Sequence, residues 1–481
     1  MSIKRYNITK DSTITNIYND GLKVRATKSN MGASDSLEIF SLYGRASEEE
    51  SESSRILVYF PTSQIEEDRT NSVIGTSGSS QFILKLSNVA HRESVPSQFT
   101  LTVNPLSRSW SEGIGLDMET YKDAGAVNWL SASEGVKWTN PGGDYYTSPE
   151  LEKYFTEGTE DLELDITTIV EEWIDGTKPN HGLLIRLSSS IEEGTESYYT
   201  KKFSSRGTEY FYSKPWVEAR SDSSILDDRA RFYSYNQFVP LEDNYNTIYL
   251  YNRFKGKLVD IPNFESDEIY VGFYGTDPSV EITTPLTLIS GTQEAMTNVV
   301  YVSGSRVSTG VYKCDVCINT TKEKIWDVWF DSTKDWATAA GGGTIEVVDP
   351  EEILSNTEEE HLYTTKKMKA KYSNAETATV QVFIRNKKWN PNSYTSIAEQ
   401  DNLNLPEEVY YKIFRVVDGH DVIPYGTGSY KHTRLSRDKD GYYFNFHTNM
   451  FEPGYSYGIK FLSNDRGNYI ESKETFKFRV E

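Results

Sequence analysis

Five aromatic residues crowd one irregular stretch: Trp110, Trp129, Trp138, Tyr145 and Tyr146. Flat aromatic faces match the apolar C–H faces of a saccharide, and nearby Asp and Asn side chains could bond its hydroxyls. This composition predicts a loop-built glycan platform. The same rings have an alternative use, in which Trp110 and Trp138 pack against a sandwich and pin the long connection that carries them. Trp173 reads as core, since Val170, Trp173 and Ile174 stand at i, i+3 and i+4 of a helical pattern.

Other constellations lack partners for chemistry. Cys314 and Cys317 have C-x-x-C spacing, but tetrahedral zinc needs two further ligands, and the six His residues are scattered. In a strand, residues i and i+3 also point to opposite faces. Asp438-Lys439-Asp440-Gly441 lacks the closing Glu of a calcium loop and reads as a hairpin turn. Glu171, Glu172 and Asp175 could be imagined as glycosidase carboxylates, yet acids are common along the whole chain. Ser34, Ser54 and Ser190 have no G-x-S-x-G elbow around them, and no phosphate-binding glycine loop is present. The expectation is a protein that is not an enzyme and uses no metal or cofactor.

A docking surface is expected where Tyr and Arg interrupt the acid. The candidates are Arg206 with Tyr210, in the segment Tyr198 to Tyr212, and Tyr249 with Arg253, in and beside Tyr233 to Tyr251. The alternative is that these rings fill each sandwich's own core.

These residues are carried by short strands. Arg55-Ile56-Leu57-Val58-Tyr59-Phe60 is a strongly apolar run, while Gln81 to Leu86 and Gln98 to Val103 alternate with the period of half-buried strands. Thr168 to Ile174 fits a short helix ended by Gly176, and Asn180-His181-Gly182 turns into Leu183 to Leu187. Further strands follow to the end of the chain, among them Thr247 to Tyr251, Gly310 to Val316, Thr379 to Ile384 and Tyr442 to Phe446. The expected fold is all-β: a jelly-roll sandwich over 1–222, then two smaller immunoglobulin-like sandwiches over 228–350 and 368–481. Exposed acidic joints are expected near 222–228 and 350–368.

Composition narrows the partners. Lys plus Arg total 50 against 71 Asp plus Glu, a formal net charge of -21, which repels nucleic acid and anionic membranes. Neither a secretion signal nor a membrane span is expected, because no apolar run follows the amino terminus and none approaches ~18 residues.

An ordered set of motifs resembles the DNRLRE family, also called disaggregatase-related domains. Asp11, Asn30-Met31-Gly32-Ala33-Ser34 and Ser54 to Phe60 come first. Ser109-Trp110-Ser111-Glu112-Gly113, Gly135 to Trp138 and Gly142-Gly143-Asp144 follow, then Leu164-Asp165-Ile166-Thr167, Val170 to Trp173 and Asn180 to Leu183. The resemblance covers roughly residues 10 to 220 and implies a jelly roll akin to carbohydrate-binding modules. The family's Asp after the Phe of the Arg-bearing strand is replaced here by Pro61. Residues 221 to 481 resemble, in overall style, the immunoglobulin-like modules of tailed-phage virion proteins. Together these imply a structural protein of a phage particle, at the neck, baseplate or fibre. Its partners would be other virion proteins and repeated copies of itself, with a glycan as the alternative ligand.

Overall fold

The structure is a computed structural model. It describes the chain except residues 1–2, 20, 48–49, 93–96, 124, 263, 265–268, 349–360, 388–404, 407 and 466. The chain falls into two compact units. One comprises Ser2–Asp222 with Gly428–His432, the other Ser223–Thr427 with Thr433–Glu481.

In the amino-terminal unit a four-stranded antiparallel sheet runs in the order Ile3–Asn7, Trp216–Ser221, Ser80–Leu86, Leu162–Asp165. A seven-stranded sheet runs Tyr198–Ser204, Ser36–Tyr43, Ser51–Tyr59, Leu183–Leu187, Phe99–Pro105, Leu151–Phe155, with Lys10–Thr15 paired to Ser51–Tyr59. Both sheets contribute to one core, in which Phe82, Leu84 and Leu86 meet Ile56, Val58, Leu183 and Ile185. The strand Ser80–Leu86 keeps a polar face, with Gln81 and Lys85 half-buried, so its sequence alternates. Ser51–Tyr59 and Leu183–Leu187 do not alternate, because the larger sheet is covered on both faces. Leu57 and Leu184 point away from the main core into a second buried cluster with Trp110, Trp129 and Trp138.

The expected helix is present at Thr167–Ile174, with Gly176 beyond it at φ +79° and Trp173 edge-on to Phe60 at 5.5 Å. A second helix, Ser63–Thr70, occupies a stretch whose polar composition predicts a loop. Tertiary contacts hold it: Ile65 is buried in the core, and Asp68 is bound by Lys4 and by the Tyr6 hydroxyl at 2.8 Å.

In the carboxy-terminal unit, strands between Phe232 and Val348 form one continuous nine-stranded sheet around a core that includes Phe232, Phe273, Tyr312 and Trp329. Strands from His361 to Val480 form a four-stranded and a six-stranded sheet. Aromatic rings fill their interior, with Tyr411 stacked on Phe444 at 4.2 Å and Phe478 against Phe446, Phe451 and Tyr457. The protein is therefore all-β, built from several sandwich-like sheets. Asp438 and Gly441 close a two-residue hairpin, with Gly441 at φ +116°.

The segment expected to be an exposed joint at 222–228 is not an open linker. Asp222 is exposed, but Asp227 is buried and Asp228 half-buried. Asp228 accepts from Arg437 at 2.5 Å, and Arg229 forms a buried two-bond pair with Asp327 at 2.7 and 2.6 Å. Acids in a negative chain read as solvated, but here Asp227 and Asp228 each have an arginine to answer them. The other expected joint, 350–368, lies outside the described residues as far as 360.

Candidate functional site: a sealed sheet face

The connection between Pro105 and Glu150 lies over the outward face of the larger sheet of the amino-terminal unit. Backbone bonds tie its two ends down, Leu106 N–H to Gly182 O and Tyr146 N–H to Pro105 O, both 2.8 Å. The Trp110 indole donates to His181 O at 3.0 Å and the Trp138 indole to Asn128 O at 2.9 Å. Trp110, Trp129 and Trp138 are only 5, 9 and 5 % exposed. The structure brings the three indoles together, but as the core under the connection, so they offer no open stacking face.

Two arginines stand on this covered face. Arg55 donates to Glu192 at 3.1 and 2.7 Å and to Gly142 O at 2.9 Å, and its guanidinium lies 5.3 Å from the Trp129 ring. Gly142 sits at φ +95°, and a Cβ there would stand 2.9 Å from both the Arg55 guanidinium and the Trp129 ring, so this turn requires glycine. The turn is fixed further by Asp144, which accepts from Thr139 N–H at 2.9 Å and Asn140 N–H at 3.0 Å beside Arg108. Burial alone would raise the Asp144 carboxyl, but these donors hold it below its ordinary range.

Arg186, almost wholly buried, donates to Glu150 at 3.0 Å and to Ser189 at 3.0 Å, with its guanidinium 5.3 Å from the Tyr145 ring. Asn104 donates to Glu150 and to Tyr146 O, both at 3.2 Å. Lys178 lies 5.5 Å from the Tyr146 ring. Tyr145 and Tyr146 are half-buried, so of the five aromatic candidates these two reach solvent. Among the described residues, Asn104 Oδ1 and Arg186 Nε are buried without a hydrogen-bond partner.

A third cluster joins motif residues far apart in sequence. Asp11 is 2 % exposed. Its carboxylate accepts from Arg206 N–H at 2.6 Å, and its own N–H donates to Glu112 at 2.7 Å. Glu112 also receives the Arg206 guanidinium, with Nε at 2.7 Å. Burial is the main cause that lifts the Asp11 carboxyl to about 7, with Glu112 adding repulsion and Arg206 opposing it. Asn30 braces the same loops, donating to Glu112 O and Val127 O at 2.8 Å and accepting from Gly115 N–H at 2.7 Å.

The docking candidates divide. Arg206 is held by its own chain's Glu112, whereas Tyr210 beside it is 76 % exposed. Tyr249 is a buried strand residue whose carbonyl accepts from Arg229. Arg253 is exposed on a tight hairpin next to Phe254. Cys314 lies in the core and Cys317 is fully buried; burial pushes both thiols up, Cys317 to about 11.

Sequence reading missed the pairings of Arg55, Arg186 and Asp11. A signal for the first two existed: an Arg inside an otherwise apolar strand must find a carboxylate if both sheet faces are covered.

No family model and no curated protein matches the chain. Solved structures that resemble it include an amphioxus IgVJ-C2 molecule, at 6% identity and a TM-score of 0.13, covering 49% of this chain and 96% of that one. Another is the titin domains z1z2 in complex with telethonin, at 12% identity and 0.14, covering 50% and 88%. At these scores neither carries an argument about fold or function.

Proposed function

We propose that this chain is a structural protein of a tailed-phage particle that docks through protein–protein contacts, its first sandwich a disaggregatase-type jelly roll and the remainder immunoglobulin-like. The observation that carries the docking reading is the pair Ile114 and Leu116, 68 and 62 % exposed. They flank Gly115, whose N–H is held by Asn30 at 2.7 Å and whose carbonyl accepts from Ala33 N–H at 2.9 Å. Two apolar side chains on a clamped loop of a strongly acidic chain suit the centre of a contact, since the backbone that carries them is already held before binding. The placement in a phage particle rests on the sequence resemblance.

The test is mass spectrometry of purified particles of the phage encoding the chain, with and without Ile114→Asp and Leu116→Asp together. The chain should be present, and the double variant should fold yet drop at least about tenfold in occupancy. Absence of the unmodified chain from particles overturns the virion reading. Normal occupancy of the variant removes this loop as the docking surface.

A second reading, glycan binding, is favoured by the unpartnered polar atoms of Asn104 and Arg186 beside Tyr145 and Tyr146. Binding on a glycan array that Tyr146→Ala abolishes, with the unfolding midpoint unchanged, would select it.

A further inference from the structure

The nine-stranded sheet of the carboxy-terminal unit ends in a hairpin, Leu288–Thr292 paired with Ala295–Val299. Residues 282 to 305 contain a single charged side chain, Glu294, in a chain that is 25% charged. Ala295, Met296, Thr297 and Asn298 are all exposed, Met296 at 46 %. Among the described residues no strand pairs with the outer side of Ala295–Val299.

An open strand edge is a template for another strand, and proteins blunt such edges with charge or by covering them. Other terminal strands here follow that rule. Ile3–Asn7 carries Lys4 and Arg5, and Leu162–Asp165 carries Glu163 and Asp165. The uncharged strand Asn246–Tyr251 is covered, because Asp228 accepts from Thr247 N–H and Arg229 donates to Tyr249 O. Ala295–Val299 has neither protection.

We propose that this edge pairs with the same strand of a second copy, antiparallel about Thr297. Charge selects that occupant. Two copies carrying a net charge of -21 each repel, so a self-contact must use an uncharged surface, and this one is self-complementary. In that register Ala295 faces Val299 and Met296 faces Asn298. Glu294 faces Val300, which leaves the two glutamates six residues apart along the strands. At ~3.4 Å per residue that is about 20 Å, beyond the ~8 Å screening length at physiological ionic strength. Met296 and Asn298 lie on one side of the strand, while Val299 on the other packs toward the core. The contact is therefore a flat, uncharged extension of the sheet. A five-residue edge is small, so the pairing is weak in free solution and gains from any array holding copies side by side.

Sedimentation equilibrium of the full chain tests this without particles, so its outcome is separate from that of the virion reading. The expected result is reversible dimerisation at high micromolar concentration. Met296→Lys with Asn298→Lys should weaken it at least about tenfold without moving the unfolding midpoint, by facing Lys against Lys. Mixing that variant with Met296→Asp, Asn298→Asp should restore a one-to-one dimer. A chain that stays monomeric throughout, or a dimer unaffected by the Lys variant, overturns the proposal. So does failure of the two variants to associate with each other.

Discussion

Arg55 and Glu192 are joined by two hydrogen bonds, 3.1 and 2.7 Å long, across 137 residues of sequence. The same guanidinium holds Gly142 O and faces the Trp129 ring. One side chain thus ties the central strand of the larger sheet to the short helix Ser189–Glu192 and to the connection that covers the sheet.

Arg55→Met should leave Glu192 nearly buried and uncompensated, at a cost of about 3–5 kcal/mol in urea unfolding. Adding Glu192→Leu should recover a substantial part of that loss, since an apolar pair needs no counter-charge. Proteolysis should reach the segment 106–147 first in the single variant. If Arg55→Met unfolds like the wild type, the pair does not hold the connection down.

Trp129→Ala is expected to cost about 3–5 kcal/mol, because it empties a buried site rather than an exposed platform. Tyr146→Ala, at a half-buried position, should cost under about 1 kcal/mol. Equal midpoints for the two variants would mean that the Trp129 ring is not part of the sealed layer.

Asp11 gives the amino-terminal unit a pH dependence of defined sign. Its folded carboxyl is raised to about 7, above the unfolded value near 3.9, so the folded state binds the extra proton. Stability from this group is fully present below about pH 4 and lost as pH rises toward 7. Asp11→Asn, which keeps the acceptor for Arg206 N–H, should be more stable than wild type at pH 8 and indistinguishable from it near pH 3.5. Arg206→Glu should destabilise at pH 8 by placing a third carboxylate against Asp11 and Glu112, so it is not a neutral probe of docking. Arg253→Glu, on an exposed hairpin, should leave the midpoint within about 0.5 kcal/mol. A midpoint for Asp11→Asn that tracks wild type across this range would refute the shift.

Glu218 works in the opposite direction. It is buried between Arg220 at 2.8 Å, Arg5 at 3.0 Å and Lys85 at 3.7 Å. Burial alone would raise its carboxyl, but the three cations bring it down to about 2. Its contribution is present above the unfolded value near 4.3 and is lost as pH falls from there toward 2. Glu218→Gln should therefore lower stability at pH 7 by about 3 kcal/mol and flatten the acid limb of a pH–stability curve. An unchanged acid limb would show that other carboxylates govern it.

The all-β class was legible in the sequence, because period-two alternation and Gly-rich turns are local consequences of backbone geometry. So were the helix at Thr167–Ile174 and the hairpin at Asp438–Gly441, each set by a few adjacent residues. Whether Trp110, Trp129 and Trp138 face solvent or protein was not legible, since that depends on a sheet face contributed by Leu57 and Leu184 from distant strands. The runs Arg55 to Phe60 and Leu183 to Leu187 carried the clue, as strands that fail to alternate are covered twice. The partners of Arg55, Arg186, Asp11 and Glu218 were decided by the tertiary structure alone. A charge states only that it must be compensated when buried. Which of the chain's 71 acids or 50 bases compensates it depends on which strands the fold sets side by side.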